Sequence, residues 1–270
     1  MDLVEYSQKV YDTIVSDFKA FASKLEINDI QFIPISALNG DNVVHRSTNM
    51  NWYHGSTLMY HLETVHISSD YNHIDCRFPI QSVIRPHTLE NQDFRGFTGR
   101  IDGGVFKPGD RVKTLPSGFI TTIKTIELGG EQIPEAFAPM SVTMTLQDEI
   151  DTSRGDMIVR ENNVPEIGQD LEVLVTWMSS NPLKPRTKVV IKHTTKQCLG
   201  MVKELKYKID INTLHRLQDI DTLDMNDIGR ISLRTAKPLF YDVYKKNRQT
   251  GSIIIIDEQT NETIGAGMII

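Results

Sequence analysis

The sequence predicts a mainly β protein in which two consecutive antiparallel β-barrels follow a short α/β segment. Three observations lead to this fold class. Helical spacing of apolar residues is confined to the start of the chain, a two-residue period takes over after about Ile67, and Pro/Gly turns then recur at short intervals. The chain of 270 residues is also longer than one typical domain. We therefore expect three regions, at residues 1–68, 69–165 and 166–270.

The first region has the pattern of an α/β segment. Val10, Ile14 and Phe18 recur at helical spacing, within a longer apolar face that runs from Val4 to Leu25. Residues 30–35 form a short apolar run of the kind that builds a buried parallel strand, and a polar loop at residues 36–42 follows it. A second helix is expected from about Ser56 to Val65.

The later regions have the alternation of half-buried strands. Residues 78–84 predict the first strand, and Val142, Met144 and Leu146 alternate cleanly with polar neighbours. Residues 164–168 are interpreted as a linker to a second β unit, which ends in a hairpin over residues 252–267. Short strands separated by Pro/Gly turns indicate a closed barrel or a sandwich.

Composition and charge restrict the class of protein. Hydrophobic residues make up 39% and charged residues 24% of the chain, as in soluble globular proteins. The net charge of -6 argues against a surface built as a whole to bind nucleic acid. Apolar runs stay far below membrane-spanning length, and the first residues do not have the pattern of a signal peptide. Cys76 and Cys198 do not have the spacing of metal ligands or of a disulfide framework. We expect a cytoplasmic protein without a membrane partner, in which both cysteines pack in the core.

Several motifs jointly resemble one family. Residues 95–101 (RGFTGRI) and 103–112 (GGVFKPGDRV) are similar to the second-domain barrel of translation-factor GTPases, so the two β units resemble domains 2 and 3 of elongation factor Tu. A further set resembles the large, GTP-binding subunit of bacterial sulfate adenylyltransferase: residues 115–118 (LPSG), 148–157 (DEIDTSRGDM), 177–179 (WMS), 191–196 (IKHTTK), 226–230 (NDIGR), 247–252 (NRQTGS) and 263–269 (TIGAGMI). The resemblance covers essentially the whole chain.

This resemblance implies a role for the first residues. Met1-Asp2 looks like the guanine-recognition motif NKMD cut after its lysine, in which the aspartate carboxylate accepts hydrogen bonds from two N–H groups of guanine. Guanine contacts are then implied for Asp2, Ser36, Ala37 and Leu38, the last three lying where open α/β sheets bind ligands. From the residues alone, a start methionine followed by a helix-capping aspartate explains the same two residues.

The resemblance also implies a cofactor and a partner. In that family a small catalytic subunit joins sulfate to the AMP part of ATP, and GTP hydrolysis on the large subunit drives the reaction. We expect this chain to be the C-terminal part of such a large subunit. GTP is the cofactor of the intact parent protein, but the 270 residues contain no GxxxxGK[ST] phosphate loop. We therefore expect no GTP hydrolysis and no measurable GTP affinity from this chain alone. The alternative is a fragment of an elongation or initiation factor that binds tRNA.

Three weaker patterns have plain interpretations. His54, His61, His66 and His73 lack the HExxH spacing, so we interpret them as surface or interface residues without a metal. Residues 154–156 (RGD) are expected to form a barrel turn. Between Lys184 and Lys208 stand eight Lys or Arg residues and one acid. We interpret this basic segment as a solvated face, with a partner or nucleic-acid surface as the alternative.

Overall fold

The structure is a computed structural model that describes residues 1–25, 27, 29–65, 71–85 and 94–270. The chain divides into two compact units, Met1–Ser69 and Asp70–Ile270. In the described part, no helix combines the length and the apolar character that crossing a membrane requires.

The first unit contains a short 3₁₀ turn at Asp2–Val4, helix α1 at Gln8–Ala22 and helix α2 at Leu58–Thr64. Helix α1 begins later than predicted because Glu5 and Tyr6 adopt left-handed backbone conformations, with φ of 50° and 57°. Tyr11 of α1 packs against Trp52 with the two rings tilted, and their centroids lie 5.2 Å apart. Most of the apolar face of α1 is exposed, and Ala22 is its one buried residue.

The predicted strand at residues 30–35 is wrong, because these residues form no strand in the structure. A strand is stable only when a neighbouring strand takes up its backbone groups. Here other groups bind the carbonyls instead. The Tyr11 hydroxyl donates to the carbonyl of Phe32, the Asn42 amide to that of Pro34, and the terminal amino group to that of Ile35.

The first half of the second unit is an antiparallel sheet that curls into a barrel, called the first barrel below. Its sheet order is β1-β10-β5-β6-β9-β3-β2, with β7 paired to β6, while β4 and β8 pair separately. Gly99 on β3 closes the barrel against β1, since a Cβ atom there would lie 2.4 Å from the carbonyl of Pro79. The strands are β1 Arg77–Pro79, β2 Ser82–Ile84, β3 Gly96–Arg100, β4 Val105–Phe106, β5 Arg111–Leu115, β6 Ile120–Leu128, β7 Glu131–Gln132, β8 Ala136–Phe137, β9 Ser141–Leu146 and β10 Met157–Arg160.

The second barrel is closed. Strands β12, β16, β17, β11, β15 and β13 pair in that order, and β13 pairs back to β12, while β14 extends β13. Its core includes Leu171, Val173, Val175 and Trp177, which alternate along one strand with less buried residues. The strands are β11 Glu166–Trp177, β12 Lys188–His193, β13 Lys196–Ile209, β14 Arg216–Leu217, β15 Ile228–Tyr241, β16 Ser252–Ile256 and β17 Thr263–Ile269.

Two strand boundaries differ from the prediction. The strand expected over residues 78–84 is split into β1 and β2, because the amide of Ile80 donates to Asp156 and that of Gln81 donates to Thr98. The residues interpreted as a linker largely belong to β11, which begins at Glu166. The two barrels are therefore joined without a long connection.

Candidate functional site

Asp2 and Ser36 are in direct contact although 34 residues separate them. The Ser36 hydroxyl donates to Oδ1 of Asp2 over 2.7 Å, and the terminal amino group donates to the carbonyl of Ile35 over 2.8 Å. These bonds hold the start of the chain against the loop at residues 36–42. The hydrogen bond from Ser36 lowers the pKa of Asp2, so its carboxylate is ionised at neutral pH.

The loop itself is ordered by local hydrogen bonds. The amide of Asn39 donates to the Ser36 hydroxyl, and the amide of Gly40 donates to the Ser36 carbonyl. Gly40 has a φ of 77°, a left-handed conformation that favours glycine. Ser36 is buried while Ala37 and Leu38 are exposed, with Leu38 84% exposed. The structure thus places all four predicted site residues at one corner of the first unit.

Three further residues surround this corner. The Tyr6 hydroxyl donates to Oδ2 of Asp41 over 3.0 Å and accepts a bond of 2.8 Å from the Asn39 amide. Oδ1 of Asp41 accepts a 2.5 Å bond from the Ser47 hydroxyl. Sequence reasoning missed Tyr6 and Ser47, since neither lies in a recognisable motif. The ionised carboxylate of Asp2 therefore lies beside the hydrogen-bonded loop at residues 36–42, and a carboxylate can accept N–H groups of a ligand.

A second polar cluster joins the two barrels. Arg77 on β1 is completely buried, and its guanidinium binds Asp242, which follows β15, through two bonds of 2.8 and 2.9 Å. The remaining nitrogen, Nη1, donates to the carbonyl of Cys76 and to both oxygens of Asn163. Although burial alone would raise the pKa of Asp242, the bonds and charge of Arg77, together with the Thr250 bond and the charge of Lys246, lower it.

This polar cluster around Arg77 and Asp242 is called the joint below, and further contacts belong to it. Asp75 accepts bonds from Asn163 and Asn72, and its carboxylate lies 3.0 Å from Nζ of Lys246. The Asn247 amide of the second barrel donates to the carbonyl of Asp102 in the first. Beside the polar joint, Leu115, Met157, Val159 and Phe240 form an apolar cluster that spans both barrels. The two barrels are therefore held as one body.

Unlike the pKa of Asp242, the pKa of Asp102 is raised. Burial raises the pKa of Asp102 to about 6, against the opposing effect of the nearby positive charge of Arg100. Its own carbonyl accepts the Asn247 bond, but that bond does not stabilise the charged carboxylate. The side chain therefore changes charge near neutral pH.

Three other sequence predictions concern the cysteines, residues 154–156 and the histidines. Cys76 and Cys198 are buried and free, and burial raises the pKa of both thiols, so their packing role is confirmed. Residues 154–156 form a turn, as predicted. Among the histidines, His66 lies outside the described residues. In the described ranges, no three metal-ligating side chains converge.

The basic segment is on the outer face of the second barrel, but it is not uniform. Lys203, Lys206 and Lys208 form ion pairs with acidic residues on the barrel. Lys196 donates to the carbonyl of Pro238 and lies 4.7 Å from the ring centre of Phe240. The segment is therefore not a continuous strip of free cations such as phosphate binding requires.

Known proteins share this fold. Residues 170–270 match the family described as GTP-eEF1A C-terminal domain-like. The structure superimposes on sup35 complexed with GDP with a TM-score of 0.67, covering 98% of this chain and 65% of that one. The sequence identity is 18%, so this likeness concerns the fold alone. The architecture is that of the barrels of translation-factor-like GTPases.

Sequence similarity then narrows the class. Over its full length the chain is 47% identical to the bifunctional enzyme CysN/CysC of Mycobacterium tuberculosis, of which it covers 44%. It is 45% identical to sulfate adenylyltransferase subunit 1 of Bacteroides thetaiotaomicron and 47% identical to that of Francisella tularensis subsp. novicida, covering 56% of each. The chain thus spans about half the length of the curated relatives it matches. These matches confirm the resemblance to the large subunit of bacterial sulfate adenylyltransferase.

Proposed function

We propose that this chain acts in sulfate activation, as the barrel-bearing part of a GTP-binding sulfate adenylyltransferase subunit. The observation that carries the proposal is the identity of 45–47% along the entire chain with relatives named sulfate adenylyltransferase subunit 1. In this role the chain binds a small catalytic subunit that makes adenosine 5′-phosphosulfate from ATP and sulfate. Its own contribution is to connect that subunit to GTP hydrolysis.

The joint between the barrels supports this role. A protein that couples one reaction to another must pass on a displacement rather than absorb it in a loose connection. The buried pair of Arg77 and Asp242 and the apolar cluster around Phe240 connect the two barrels across side chains that are fully enclosed. A partner bound to one barrel is therefore mechanically connected to the other.

We further propose that Asp2, Ser36, Ala37 and Leu38 contact guanine. An ionised carboxylate can accept the two N–H groups that guanine presents and adenine does not. The Ser36 bond holds the Asp2 carboxylate in place, and the exposed residues Ala37 and Leu38 follow Ser36 directly in the chain. Because the sequence supplies base contacts without a phosphate loop, we expect the affinity of this chain for GTP to be too low to measure at micromolar concentrations.

The guanine proposal is tested by NMR with millimolar guanosine, using adenosine as the control ligand. Guanosine should shift the amide signals of Ser36, Ala37 and Leu38, and adenosine should not. Asp2→Asn should remove the shift, since an amide nitrogen cannot accept an N–H group. Equal shifts with both nucleosides, or an undiminished shift in the variant, would contradict the proposed contacts.

The subunit proposal is tested by a pull-down of the 270-residue chain with the small catalytic subunit of a bacterial sulfate adenylyltransferase. Deacylated and aminoacylated tRNA serve as controls for the translation-factor alternative. We expect stable binding to the small subunit and none to tRNA. Binding to tRNA without binding to the small subunit would show that the chain is a translation-factor fragment.

A further inference from the structure

The outer face of the second barrel has an unusual run of apolar side chains. On β12 and β16, Val189, Ile191, Ile253 and Ile255 point into the core. Since side chains alternate along a strand, Val190, Ile254 and Ile256 must point outward. Outward positions of a solvated barrel normally carry polar residues.

Strand register gathers these outward residues into one surface. Val190 is paired with Leu199 on β13 and with Ile256 on β16, and Ile254 is paired with Ala266 on β17. Met201 follows Leu199 on the same face of β13. We name this surface the outer patch, and its members are Val190, Leu199, Met201, Ile254, Ile256 and Ala266. Leu199 is 50% exposed and Met201 40% exposed.

The outer patch is large enough to form the centre of an interface. The strands are about 4.8 Å apart and outward residues recur about every 6.8 Å along a strand, so the six members of the patch cover on the order of 200 Å². A stable protein interface buries about 800 Å² on each partner, with an apolar centre and a polar rim. The patch therefore accounts for about a quarter of such a surface.

A groove at the edge of the patch could receive an anchoring side chain. It has a volume of about 330 Å³, and Leu199, Met201, Thr235 and Ala236 line it. Lys188, Arg234 and Glu258 stand around it, with Gly200 also in the lining. A groove of this size accommodates one or two apolar side chains, and such anchors carry most of the binding energy in protein interfaces.

The charges around the patch indicate the chemistry of the partner. Lys188 and Lys192 flank Val190 on β12, and neither forms an ion pair with any residue in the described ranges. Lys203, Lys206 and Lys208 on β13, in contrast, are all paired with acids of the barrel itself. A partner with carboxylates around an apolar centre would complement this surface.

We infer that the outer patch is the docking surface for the small catalytic subunit, and this inference rests on the function proposed above. The small subunit would place an apolar side chain in the groove and carboxylates opposite Lys188 and Lys192. The aliphatic character of the patch favours a protein over RNA. Proteins that bind RNA bases use aromatic or Arg side chains for stacking, and the patch contains none.

The experiment measures the dissociation constant of the full chain with the purified small subunit by calorimetry. Leu199→Glu places a charge in the patch and should weaken binding at least tenfold. Leu128→Glu is the matched control on the first barrel, where Leu128 is 43% exposed, and it should bind like the wild type. Lys188→Glu with Lys192→Glu should raise the dissociation constant and reduce its salt dependence, whereas Lys124→Glu, at an exposed lysine of β6 in the first barrel, should do neither.

Each outcome decides a different statement. If the wild type binds and Leu199→Glu binds equally well, the docking surface lies elsewhere, while the proposed function stands. If the wild type does not bind the small subunit at all, both the function and the docking surface are wrong. If Leu199→Glu instead turns a dimer of the chain into a monomer, or abolishes tRNA binding, the occupant of the patch is not the small subunit. Unchanged circular dichroism and melting temperature confirm that each variant is folded.

Discussion

Replacing Arg77 by Ala should destabilise the second unit strongly. The guanidinium is completely buried and donates to Asp242, Asn163 and the carbonyl of Cys76. Its removal leaves the Asp242 carboxylate buried, with Thr250 and the more distant Lys246 as its remaining partners. Breaking a buried pair in this way costs about 3–5 kcal/mol in the free energy of unfolding. For a body of this size the melting temperature should fall by roughly 6–20 °C.

The assay is urea unfolding followed by tryptophan fluorescence, since Trp177 is in the core of the second barrel. Arg111→Ala is the matched control, because Arg111 pairs with Glu161 at the surface and should cost less than about 1 kcal/mol. Combining Arg77→Met with Asp242→Leu should recover part of the loss, since no unpaired charge then remains buried. An Arg77→Ala variant as stable as Arg111→Ala would refute the reasoning.

Two further predictions concern stability. Gly267→Ala would place a Cβ atom 2.4 Å from Cγ1 of Val173 in the closed core, so it should lower the free energy of unfolding by about 1–3 kcal/mol. In the control Gly168→Ala the nearest atom is 3.4 Å away, so the melting temperature should stay nearly unchanged. Equal melting temperatures of the two variants would contradict this account of the core. The second prediction is that the Asp102→Asn variant becomes more stable relative to the wild type as pH rises. In the wild type the folded pKa of Asp102 is about 6 and its unfolded value is 3.8, so the carboxyl contributes stability that is fully present below pH 4 and is lost as pH rises through 6. The loss amounts to about 3 kcal/mol in the free energy of unfolding. A stability difference between variant and wild type that stays constant from pH 4 to 7 would contradict the raised pKa.

The barrels were accessible from the sequence because their signals are local. Alternation at Val142, Met144 and Leu146 or at Leu171, Val173 and Val175 follows directly from one polar and one buried face of a strand, and all six are buried. The apolar run at residues 30–35 has the same composition as a strand. What it lacks is a neighbouring strand in the described part of the chain, and composition cannot reveal a missing neighbour.

The candidate site was also predicted only in part from the sequence. Asp2 and the loop at Ser36 could be found because each resembles part of a known motif, and the structure brings them together. Tyr6 and Ser47 escaped because a single hydroxyl in a loop has no pattern. The joint was equally invisible, since Arg77 and Asp242 are 165 residues apart and only the folded chain shows that one neutralises the other.

The enclosed joint between the barrels gives the second unit the properties of a lever. A compact body of roughly 200 residues has a radius of gyration of about 16 Å, so its far ends lie on the order of 40 Å apart. Because buried side chains tie the barrels together at the joint, a tilt of about 10° at one end carries the other end about 7 Å, which is more than one turn of an α-helix. A small rotation at either barrel is thereby converted into a displacement large enough to open or close a contact at the other.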